Sequence, residues 1–84
     1  MSMNTSSIFR DHIERVVGPV WASETRKDRM REELAAHLMV SFEDECSRSG
    51  DESAAAERAI RRLGEVDELT RSLQDSVPRL EQLL

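Results

Sequence analysis

From Arg29 to Leu73 the apolar residues fall at helical spacing, and the pattern breaks only at the polar Ser47-Arg48-Ser49-Gly50-Asp51 segment and at Gly64. Such a stretch reads as two amphipathic helices joined by a turn, with a third beyond Gly64. Nothing in it has the spacing of a catalytic motif, which points to an interaction module. Met30, Leu34, Leu38, Phe42 and Cys46 recur every four residues. That period is slightly longer than a helical turn, so the buried stripe drifts around the helix and its two ends can face different neighbours. Met39 and Val40 lie off the stripe and are candidates for contact with the first helix, a second subunit or a partner.

Upstream, the polar cluster Asn4-Thr5-Ser6-Ser7 offers hydroxyls and an amide to the unsatisfied N–H groups of a first helical turn, so the first helix is expected over about 8–17. Phe9, His12, Ile13, Val16 and Val17 share its face. Gly18 reads as a left-handed cap, and Pro19 follows it. Val20 and Trp21 fall in the connection. The indole is expected to plug the end of the core, with a hot spot for a partner as the other reading. The second helix is expected over 24–48, with Ser23 or Thr25 as its cap. The third is expected over 52–63, capped by Asp51 or Ser53, with Ala56, Ala59, Ile60 and Leu63 on one face. The fourth is expected over 66–76, with Val66, Leu69, Thr70 and Leu73 inward, and Pro78 blocks its continuation. A further turn over 79–84 would carry Leu80, Leu83 and Leu84. The fold class is therefore all-α, a small antiparallel bundle of four helices with a short fifth at the C-terminus as an option. Its core is drawn from Ile13, Val16, Leu34, Leu38, Phe42, Ile60, Leu63, Leu69 and Leu73.

With 84 residues the chain has room for one domain, near the size at which self-association or a partner adds needed stability. A net charge of −5 argues against nonspecific binding to nucleic acid or anionic lipid. The single cysteine, Cys46, cannot form an internal disulfide and fits a reducing compartment. No signal peptide is expected at the N-terminus, and no apolar run is long enough to span a bilayer, so cytoplasmic exposure is the expectation. A membrane segment, if the protein has one, would lie outside these residues.

The charges are polarised. The second helix carries Arg26, Lys27, Arg29 and Arg31 near its start and Glu43, Asp44 and Glu45 near its end. This opposes the helix dipole. In an antiparallel hairpin, Asp51, Glu52 and Glu57 would fall beside the acidic end and Arg58, Arg61 and Arg62 toward the basic end. The remaining polarity would then serve an antiparallel homodimer or a charged partner helix; the bland alternative is a solvated face, since exposed ion pairs are each worth little. The expected contact residues are thus Trp21, Met39, Val40, Leu80, Leu83 and Leu84, with Arg26, Lys27, Arg29, Glu43, Asp44 and Glu45 setting orientation.

No catalytic, cofactor-binding or metal-binding residue is expected. Glu33 and His37 share a face, with Cys46 further along, but no paired ligand spacing is present. Cys46 sits in an acidic stretch that works against a reactive thiolate. The third helix, Gly64 and fourth helix echo a helix-turn-helix DNA reader, but the would-be reading helix opens with Glu65, Asp67 and Glu68, which phosphate would repel.

The segment RMREELAAHLMVSFEDECSRSGDESAAAERAIRRLGEVDELTRSLQ resembles the HAAS signalling domain and the related permease prefix domain of bacteria. Glu33, Leu34, His37 and Leu38 match an E-L-x-x-H-L helix, Gly50 the turn, Ala55, Ala59 and Ile60 an Ala-rich helix, and Leu63-Gly64 its end. Glu65-Val66 stands where that family commonly has Asp-Pro. The resemblance covers about 24–74. It implies a cytoplasmic helical adaptor placed before membrane-spanning or permease-like regions, with no catalytic residue carried over. A freestanding homodimer with a structural role and a DNA-binding regulator are the alternatives.

Overall fold

The computed structural model describes residues 5–78, and within them the chain forms four α-helices: α1 (Thr5–Val17), α2 (Glu24–Ser49), α3 (Glu52–Leu63) and α4 (Val66–Ser76). The all-α bundle expected from the periodicity is present. α1 starts at Thr5 rather than at residue 8, so Ser6 and Ser7 lie inside the helix. Serine in a helix costs only about 0.5 kcal/mol relative to alanine, too little to hold back a helix whose apolar face is being buried. Of the rival caps, Ser23 opens α2, its hydroxyl accepting from the Arg26 N–H at 3.2 Å. Asp51 opens α3, accepting from the N–H groups of Ser53 (3.0 Å) and Ala54 (3.4 Å). Gly50 ends α2 in the left-handed region, with its N–H on the Cys46 carbonyl. At the far end Val77, held extended by the following proline, stops α4. Leu80, Leu83, Leu84 and the turn expected over 79–84 lie outside the described residues.

α2 is about 39 Å long at 1.5 Å per residue and forms the spine. α3 folds back along it, α1 packs on it, and α4 packs on α1. The core comprises Phe9, Ile13, Val16 and Val17 of α1, Val20 of the connection, Met30, Leu34 and Leu38 of α2, Ala56 and Ala59 of α3, and Val77. Val16, Val17 and Leu38 are the largest wholly buried side chains. Phe42, Ile60, Leu63, Leu69 and Leu73, expected at the centre, are half-buried and pack around it. The alanines of α3 take the interior places because two helices in close approach leave room there for a methyl group only. Phe9 and Phe42 meet edge-to-face, ring centres 5.7 Å apart and planes at 85°, the arrangement the ring quadrupoles favour.

The C-terminus of α1 is the structural crossroads. A helix end leaves carbonyls without partners, and here they are answered from three directions. Gly18 N–H donates to the Glu14 carbonyl (2.8 Å), the Thr70 hydroxyl of α4 to the Val16 carbonyl (2.8 Å), and the Lys27 ammonium of α2 to the Gly18 carbonyl (2.9 Å). Gly18 is not left-handed, unlike Gly50 and Gly64. Glycine is needed because a Cβ there would lie 2.6 Å from the Glu14 carbonyl oxygen.

Candidate interaction surface

The connection after α1 does not bury its indole. Val20 goes into the core, and Trp21 stands outward with 66% of its surface exposed. Its backbone is pinned by one side chain of α4: the Trp21 N–H donates to Gln74 Oε1 (2.7 Å) and Gln74 Nε2 donates to the Trp21 carbonyl (3.1 Å). Two adjacent residues on such a clamped strand point to opposite sides, and the smaller one fits the space beneath. The expected plug is therefore Val20, and Trp21 is displayed.

The second display lies on the outward face of α2. Met30, Leu34 and Leu38 are turned into the core. On the opposite side Arg29, Glu32, Glu33, Ala36, His37, Met39, Val40 and Glu43 are exposed, Met39 at 46% and Val40 at 67%. This face is flanked by two depressions. Towards α1, Met39 joins Phe9, Ile13 and Ala35 as the apolar part of a groove of about 310 Å³, with Arg10, Glu14 and Arg31 around it. Towards α3, Val40 and Ala36 line a shallower hollow with Glu33, His37, Ser41 and Arg62. Trp21 and Val40 are separated by most of the length of α2 and make two surfaces, not one.

The charged residues divide between structure and surface. Arg31 is held on the fold by Glu14 (2.6 Å), Asp28 (2.8 Å) and Glu24 (3.7 Å). Arg62 reaches Asp44 (2.9 Å) and Glu45 (3.1 Å), while Asp44 also takes Arg48 (3.2 Å). Glu45, expected as an exposed orienting charge, is in fact only 8% exposed and closes the α2–α3 hairpin from within. Arg62 likewise pairs with the acidic end of α2, not the basic end: its guanidinium meets Asp44 and Glu45, while the residue also lines the hollow with Glu33 and Ala36. The hairpin is thereby less polarised than its charge order suggests. Arg26 and Lys27 are half-buried at the start of α2, with Lys27 committed to Gly18. Arg29 and Glu43 remain on the open face, and Arg29 makes no ion pair with any described residue.

Burial is the largest cause of the shifts at His12 and Cys46, whereas Arg31 and Arg62 are raised by their hydrogen bonds to carboxylates. His12 is lowered below its ordinary 6.5, first by burial and then by the charge of Arg15. The half-buried Cys46 thiol is pushed up by burial and then by the carboxylates of Glu52 and Glu43, which keeps it protonated and unreactive. Among the described residues, no three His, Cys, Asp or Glu side chains gather as a metal site would require, and no helix is long and apolar enough to cross a membrane. Comparison with known proteins finds no matching family model, no matching curated protein and no matching solved structure.

Ala36 and Arg62 belong to this surface and were absent from the sequence-based set. Ala36 was legible in principle: it stands three and four residues before Met39 and Val40, the spacing that puts all three on one face. The position of Arg62 depends on the packing of α3 against α2, which no local pattern encodes.

Proposed function

We propose that this chain is a non-enzymatic helical interaction module that serves as the cytoplasmic N-terminal regulatory domain of a bacterial membrane or permease-like protein. The observation that carries the reading is the outward face of α2, where Met39 and Val40 are held exposed on a helix whose inner face is already fully used. A long apolar residue kept in water on a rigid scaffold forgoes the roughly 1.5–3 kcal/mol that its burial would return, and association recovers it. The E-L-x-x-H-L motif that resembles the HAAS and permease prefix domains straddles this division. Leu34 and Leu38 are buried, while Glu33 and His37 stand beside Val40. The leucines of the motif thus serve the fold, and its polar residues are available to a partner.

A photo-cross-linking amino acid placed at position 21 or 40 in bacterial cells tests this. The expected result is adducts that sediment with the membrane fraction. Adducts confined to the soluble fraction would overturn the membrane assignment, and the absence of adducts at both positions would overturn the module.

A further inference from the structure

The outward face of α2 is complementary to itself. Ala36 lies at its middle, Met39 and Val40 flank it on either side, and Arg29 and Glu43 stand seven residues before and after it, about two turns away along nearly the same line. We propose that this face docks a second copy of the chain, with the two α2 helices antiparallel across a two-fold axis at Ala36. The proposal rests on the reading of this face as a contact surface and is independent of the membrane assignment.

In that register, residues equally distant from Ala36 meet. Each Arg29 lies opposite the partner's Glu43, and Met39 and Val40 stand at the height of the partner's Glu33 and the partner's Glu32. Arg29 makes no ion pair with a described residue of its own chain, so it is available to the second copy. A parallel arrangement would set Arg29 against Arg29 and Glu43 against Glu43, and like charges at those places reject it. The methyl side chain of Ala36 at the axis lets the backbones approach, and Met39 and Val40 of each copy pack against the aliphatic stems of the partner's Glu33 and the partner's Glu32. A two-fold contact presents the same patch twice, which is why a single stripe with opposite charges at equal distances suits a copy of itself better than an unrelated surface. A contact confined to one helix stripe of each copy is expected to be weak and reversible.

Sedimentation equilibrium from low micromolar concentration upward provides the test, with helix content followed by circular dichroism. Wild-type mass should approach that of a dimer. Val40→Glu, a change at an exposed position, should leave helix content unchanged and abolish association. Arg29→Glu and Glu43→Arg should each weaken it by roughly tenfold or more, and the double variant should restore it. A wild-type monomer at every concentration, or a dimer indifferent to these changes, would overturn the proposal. A monomer whose position 40 still cross-links to a membrane protein would sink the dimer and leave the module; a dimer without membrane adducts would sustain the dimer and the contact surface and overturn the membrane assignment.

Discussion

His12 has its ring edge turned inward, where Nε2 is buried without a hydrogen-bond partner. The cleft around it is lined by Ile8, Asp11 and Arg15 of α1 and by Ile60 of α3. Neutral imidazole tolerates this place; imidazolium would have to surrender water and face Arg15. The folded-state pKa therefore lies below the 6.5 of an unfolded chain. Because the unfolded state then binds the proton more readily, the contribution of His12 to stability is fully present above 6.5 and is lost as pH falls through the folded value. Urea denaturation of the wild type at pH about 7.5 and about 5.5 should show the midpoint falling at the lower pH. His12→Gln, which cannot charge, should flatten that difference. Equal pH dependence in the two proteins would assign the effect to carboxylates elsewhere.

Among the elements, the turn between α3 and α4 is set by one residue. Gly64 has φ 119° and ψ 179°, a conformation essentially reserved for glycine. The space at its Cβ position is open enough, with Leu69 no closer than 3.7 Å, so the restriction is of the backbone alone. Gly64→Ala should destabilise by about 1–3 kcal/mol, seen as a lower urea midpoint with an unchanged slope. A neutral result would mean that the turn relaxes without cost and that Leu63-Gly64 ends α3 by sequence habit alone. The elements themselves were largely legible: period, caps and breakers located α2, α3 and α4, since each signal acts within one or two turns of the chain. What was not legible depends on distant partners. Trp21 is exposed because Gln74 clamps its backbone, fifty-three residues away in sequence. Glu45 is buried because Arg62 comes to it across the hairpin, and Val77 enters the core only once α4 has docked. For the surface, the exposure of Met39 and Val40 followed from their place off the apolar stripe, whereas the grooves beside them required the packing of α1 and α3.

At the scale of the whole molecule the helices are unequally anchored. α2 and α3 form a hairpin closed by alanine packing and by Arg62, and α1 lies against both. α4 packs principally on α1 and contributes no fully buried residue from Val66 to Ser76. Its hold consists of half-buried Val66, Leu69 and Leu73, the Thr70 hydroxyl on Val16, and the Gln74 clamp on Trp21. An element with few buried apolar atoms and solvent-facing hydrogen bonds opens at a lower free energy than the core it rests on. Native-state hydrogen exchange should therefore give α4 amides a lower opening free energy than those around Leu38, with Thr70→Val lowering the α4 value by about 1 kcal/mol and leaving the α2 value in place. Leu38→Ala, at a fully buried site, should instead lower protection throughout, by about 2–5 kcal/mol. If α4 and α2 exchange at the same free energy, the domain opens as one unit. If they separate as expected, release of α4 frees the Trp21 backbone and the C-terminus of α1 together. The displayed indole would then be coupled to α4 docking, while the outward face of α2 stays intact.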